Sequence, residues 1–135
     1  MDTADRSESG FTLIELLVVI IIIGVLAGIA IPIFLNQRQK GWQSQAVADM
    51  KNAATSVESH ATEFGGNYSG AGGATESSAV LRGEGFRPGS LVDILVTATP
   101  SSYCIVGHHE HIADDFVYRS GDGIVRQGTP GFLPC

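Results

Sequence analysis

The sequence predicts an α+β chain, a long N-terminal α-helix packed on a small antiparallel β-sheet, and three observations predict it. Residues 16–37 form an apolar run without one charged side chain. A second helical pattern follows over residues 38–64, amphipathic rather than uniformly apolar. The remainder, residues 65–135, breaks into short segments rich in Val, Ile, Phe and Tyr, separated by turn residues. One helix followed by consecutive strands is the order of a helix laid against an antiparallel sheet.

The apolar run comes first. As a helix rising 1.5 Å per residue it spans about 33 Å, one bilayer core. Its apolar character goes all the way round, whereas a soluble core helix keeps a polar back, so residues 11–37 are expected in a membrane or in the core of an assembly. A cleaved secretory signal fits poorly, because the run is too long, no small-x-small site follows it, and Arg6 is the one basic residue before it. Glu15 is the anomaly. A carboxylate at the start of such a run is expensive at full membrane depth and is expected to have a partner. Gly24 and Gly28, four residues apart, allow a second helix to approach closely, and Pro32 is expected to kink or locally melt the helix near the membrane exit.

Beyond Arg38 the apolar positions Val47, Met50, Ala54, Val57, Ala61 and Phe64 recur at spacings of three and four, with Asp49, Lys51, Ser56, Ser59 and Thr62 off that line. This stripe is expected to seat a small head, and Gly65-Gly66 to end the helix. A single helix from Phe11 to Phe64 would be about 80 Å long. A small head buries only part of that length, so the first half is expected to project. Residues 67–89 have loop composition, with one short strand expected around Val80 to Arg82. Strands are expected at Leu91–Thr99, Ser102–Gly107, Asp115–Arg119 and Gly123–Gln127, the last two joined by a hairpin through Ser120-Gly121-Asp122-Gly123.

Charge and chemistry exclude several classes. The net charge of −6 and the eight Lys and Arg leave no basic stripe, which argues against direct nucleic-acid binding. No nucleophile with a paired base, phosphate loop or carboxylate dyad is present, so no enzymatic activity is expected. His108-His109-Glu110-His111 and the aspartates Asp114, Asp115 and Asp122 are the only groupings with metal-ligand chemistry; the first has the pattern of a solvated strand-end loop and the second lacks a dense oxygen-ligand loop, so no metal and no cofactor are expected. Trp42, Phe34, Phe64 and Tyr68 are expected to be packing residues at the neck. Cys104 and Cys135, two cysteines in a Gly-rich region beyond a membrane segment, are expected to form a disulfide outside the cytoplasm, stabilising by about 3 to 4 kcal/mol in the chain-entropy estimate.

Gly10-Phe11-Thr12-Leu13-Ile14-Glu15, followed by the aliphatic run with Gly24 and then Ala30-Ile31-Pro32, resembles the class III signal segment of type IV pilins and the related type II secretion pseudopilins. The resemblance is one of sequence over the first 35 residues and of layout beyond them. It implies a leader of residues 1–10 removed after Gly10 by a prepilin peptidase, N-methylation of Phe11, and a contact between Glu15 and the N-terminus of an adjacent subunit that sets register. It also implies melting around Gly24 to Pro32 within a filament, the pilin fold, and a C-terminal region bounded by Cys104 and Cys135. The acidic leader, with Asp2, Asp5 and Glu8 against Arg6, departs from the family's basic leaders, and Arg38 and Lys40 beyond the span depart from the positive-inside tendency.

The expected function is that of a structural subunit of a type IV pilus, a homopolymer partnered by prepilin peptidase/methyltransferase and a pilus assembly platform. Before assembly it would sit in membrane lipid with its head outside the cytoplasmic membrane, and afterwards in an extracellular filament. Two alternatives stand beside it, a pseudopilin of a type II secretion system and a membrane-anchored binding module that never polymerises.

Overall fold

In a computed structural model of the chain, residues 10–73 and 79–131 are described. Residues 1–9 of the expected leader and Cys135 of the expected disulfide lie outside them. The chain divides into two units, residues 1–37 and 38–135. Helix α1, Leu13–Glu63, runs through both.

In the first unit the apolar part of α1 makes no core of its own. An apolar window of this helix qualifies as a membrane span by length and composition, with none of it buried. The large aliphatic side chains from Leu16 to Leu35 are about half exposed all round the helix. A surface of this kind is stable only against lipid or other helices. Helix geometry continues through Pro32, so the melting expected there is not a property of the isolated chain.

The second unit is an α+β head. The last part of α1 lies against a four-stranded antiparallel sheet of order β1-β2-β3-β4, with β1 at Val92–Ala98, β2 at Tyr103–His109, β3 at Asp115–Arg119 and β4 at Val125–Gly128. The helix ends as its glycines predict. The Gly66 N–H donates to the Ala61 carbonyl at 2.8 Å, and Gly65 adopts φ +66°, the left-handed geometry of a Schellman cap. A 3₁₀ turn, Ser69–Ala71, follows.

The sheet registers Val92 with His109, Cys104 with Arg119, and Tyr118 with Val125. In β1, Val92, Ile94 and Val96 are buried while Asp93, Leu95 and Thr97 face solvent, the alternation of a half-buried strand. These side chains join Tyr103, Ile105 and Phe116 from the next two strands and Ala46, Met50, Ala53 and Val57 from α1 in one core, closed by Leu81 and Phe86. Gly107 makes room for the helix. A Cβ there would stand 2.9 Å from Met50 Cγ and Sδ.

Several expectations are corrected. Val80 to Arg82 is not a strand but lies in a short helix, α2, Ala79–Gly83, whose Leu81 is buried in the core. A short apolar run between turn residues satisfies either conformation, and contact with the core decides between them. Phe64 is 60% exposed, because α1 has ended before it, and it stacks on His60 rather than entering the core. Phe34 is likewise exposed, whereas Trp42 and Tyr68 do pack against the core. Asp49 and Ser56, expected off the buried stripe, are both buried, with Asp49 8% exposed. Asp49 Oδ2 accepts the Gly89 N–H at 2.9 Å, a partner supplied by a loop forty residues away. β2 also runs two residues further than expected, placing His108 and His109 in the sheet.

Candidate assembly site and head cluster

Gly10 and Phe11 precede the helix, and nothing among the described residues crowds them. Phe11 is 93% exposed, and no heavy atom lies within 4 Å of where a Cβ on Gly10 would stand. Thr12 caps α1. Its Oγ1 accepts the Glu15 N–H at 3.3 Å while Glu15 Oε2 accepts the Thr12 N–H at 2.8 Å. This is a reciprocal capping box. Its Thr-x-x-Glu signature stands in Thr12-Leu13-Ile14-Glu15 and was legible, yet attention to charge alone misses it. The box holds the Glu15 carboxylate at the positive end of the helix dipole, on the backbone N–H of the residue that follows Phe11.

Gly24 and Gly28 lie on exposed helix surface with open space around them, so nothing among the described residues packs against them.

The head holds the remaining polar groups. Glu58, which sequence reasoning passed over, accepts hydrogen bonds from both Tyr68 and Tyr103, each at 2.9 Å, and so ties α1 to β2 and to the 3₁₀ turn. Burial pushes the Tyr103 phenol far above its ordinary range, the hydrogen bond to Glu58 adding to it, so the hydroxyl stays a donor.

The His108–Asp115 region separates its side chains instead of gathering them. His108 Nδ1 lies 2.9 Å from Asp115 Oδ1, Asp114 accepts from Gln127 at 3.0 Å, and Asp122 pairs with Arg126 at 3.0 Å. Among the described residues no three His, Cys, Asp or Glu side chains converge as metal ligands.

His109 faces the other way, toward α1, and is fully buried. Its Nδ1 accepts the His111 N–H at 3.1 Å, so the neutral ring carries its proton on Nε2, which has no hydrogen-bond partner among the described residues. Burial is the first cause pushing its pKa below the ordinary histidine value. His111 and then His108 act in the same direction, opposed by Glu110 and Asp49. The unfolded chain therefore binds this proton more readily than the folded one. The stability contributed is complete above about pH 6.5 and is lost as pH falls through the lower folded pKa, with a slope approaching about 1.4 kcal/mol per pH unit. Thermal melts from pH 8 to pH 5 are expected to show this loss, and His109→Asn, whose side-chain oxygen can still accept from His111, is expected to flatten it. Parallel curves for the two proteins would refute the assignment.

The description "prokaryotic N-terminal methylation motif" belongs to a family model that matches residues 5–31. Over 126 residues the chain is 29% identical to the type IV wide pilus major component PilA4 of Thermus thermophilus, covering 92% of this chain and 91% of that protein. The motif and this relative together support a member of the type IV pilin family, related to the pseudopilins. The chain is also 34% identical over 98 residues to a fimbrial protein of Neisseria meningitidis serogroup B, covering 70% of the chain and 56% of that relative. It is 44% identical over 45 residues to the type II secretion system core protein G of Aeromonas hydrophila, covering 33% of the chain and 32% of that protein. The chain thus spans just over half of the one and about a third of the other. A head with one helix on a four-stranded antiparallel sheet and a membrane-capable N-terminal helix are what the pilin resemblance implied.

Proposed function

We propose that this chain is a structural subunit of a type IV pilus, cleaved after Gly10 by a prepilin peptidase, methylated at Phe11 and polymerised through residues 11–37 on an assembly platform. The observation that carries the reading is the exposed Gly10–Phe11 bond placed directly before a capped helix whose first charged residue, Glu15, opens an all-round apolar surface. Cleavage would create an ammonium at Phe11 one turn from Glu15, and pairing between neighbours would fix their axial stagger. Gly24 and Gly28 would let neighbouring helices close up, and Pro32 would weaken the helix where the filament demands it.

Before assembly the same helix crosses the cytoplasmic membrane with the head outside, where Cys104 and Cys135 would pair. Cys104 is buried, and no described cysteine is free. The subunit would act without a cofactor or an active site, its role residing in polymerisation. The pseudopilin relative favours a second reading, a subunit of a secretion pseudopilus, but that likeness covers a third of the chain, while the match over 92% of it is to a pilus component.

Intact-mass and N-terminal analysis of filaments sheared from cells tests the proposal. The expected subunit begins at Phe11, is one methyl group heavier than the bare chain, and is lighter by the hydrogens lost to a disulfide. A chain kept in the membrane with residues 1–10 attached, and no filament, would overturn it in favour of an anchored module.

A further inference from the structure

We propose that Arg38, Lys40 and Trp42 form a collar for anionic lipid headgroups, which grips the unassembled subunit at the bilayer surface. The inference rests on the membrane reading of residues 11–37.

Arg38 is the first charged residue after the apolar run, and Lys40 and Trp42 follow within about one turn of helix. The Arg38 guanidinium carbon lies 4.7 Å from the centroid of the Trp42 ring, a cation–π contact. The indole is held in turn by His111, at 4.7 Å between ring centroids, and by His109, at 6.0 Å. Trp42 is half-buried, so its orientation, and through it that of Arg38, is set by the head. Arg38 and Lys40 are both exposed, and neither has a carboxylate within ion-pair distance among the described residues; the pairs present are Arg126 with Asp122 and His108 with Asp115.

Two unpaired cations on a chain of net charge −6 call for an anionic partner brought to them locally, since the net charge repels an anionic surface at long range. The geometry selects which partner. At about 100° per residue, Arg38 and Lys40 point to nearly opposite sides of α1 while differing in height by only about 3 Å. A free phosphate or a globular partner meets one side of a helix, whereas a leaflet surrounds it and presents phosphates to both sides at one depth. The indole beside Arg38 is the side chain that favours that depth, apolar in body with one N–H for the wet side. This also accounts for basic residues beyond the span, where the positive-inside tendency does not place them.

Trp42 is the only tryptophan, so its fluorescence reports on this collar alone. The full chain is reconstituted in vesicles of phosphatidylcholine and phosphatidylglycerol, with bromine quenchers carried on the acyl chains of one lipid or the other at equal bulk ratio. Quenching is expected to be severalfold stronger when phosphatidylglycerol carries the bromine, up to about fivefold enrichment per basic residue. The preference should vanish in the Arg38→Gln/Lys40→Gln double variant and fall at high salt. Equal quenching by the two lipids, or a preference that survives in the double variant, overturns the collar and leaves the membrane reading intact. Loss of the preference on replacing chloride with inorganic phosphate at constant ionic strength assigns these residues to a free anion and also overturns it. No quenching by either lipid would remove the membrane reading and the collar together.

Discussion

Replacing Glu15 with Gln is expected to abolish filaments while leaving the subunit folded, processed and in the membrane. Two roles converge on this side chain, and the substitution separates them. Through its Oε2 Glu15 caps the helix by accepting the Thr12 N–H, a task that a Gln amide oxygen performs in the same place. Its negative charge is what a neighbouring Phe11 ammonium would need inside an apolar filament core. Gln leaves that ammonium unpaired, in surroundings where an isolated charge weakens association by roughly two orders of magnitude. Sheared-filament yield measures the effect, with immunoblots of the membrane fraction confirming that the subunit has lost its leader. Glu15→Ala removes both roles and should look no worse in assembly. Filaments at the native level from Glu15→Gln would show that the cap, not the charge, is what assembly uses.

Much of this architecture is legible from local pattern. The apolar run declares itself because no polar residue interrupts its circumference, and β1 and β3 fall within a residue or two of expectation because alternation and turn residues bound them. The Schellman end of α1 follows from Gly65-Gly66, since glycine alone takes the left-handed turn without strain. What stayed hidden depends on partners far along the chain. Asp49 looks like a solvent residue until the Gly89 N–H arrives to satisfy it. His109 looks like part of a solvated histidine loop until β2 extends far enough to turn it inward against Trp42. Leu81 could sit in a helix or a strand, and only its place in the core settles which. The N-terminal motif belongs to the first kind of information, because Gly10 to Glu15 lie within six positions of one another. For that reason the motif was recognisable while the interior of the head was not.

Phe116→Ala is expected to fail in assembly for the opposite reason. Phe116 is 2% exposed and is the largest of the fully buried side chains of the core, set between the α1 face and the β2 and β4 neighbours Gly107 and Gln127. Truncating a buried phenylalanine costs about 3 to 5 kcal/mol, a large fraction of the roughly 5 to 15 kcal/mol that holds a domain of this size folded. A fall in melting temperature of ten degrees or more follows, at roughly 4 to 8 °C per kcal/mol for a head near 100 residues. Leader removal should persist, because Gly10, Phe11 and the Thr12 cap belong to the other unit of the chain. The two variants therefore dissociate. Glu15→Gln keeps the native melting curve and loses filaments, while Phe116→Ala keeps processing and loses the melt, with filaments recovering when cells are grown cold enough for the head to refold. If Phe116→Ala melted like the native chain, the core described around Met50, Ile105 and Phe116 would be wrong; if Glu15→Gln lowered the melt, Glu15 would be acting on the head and not between subunits.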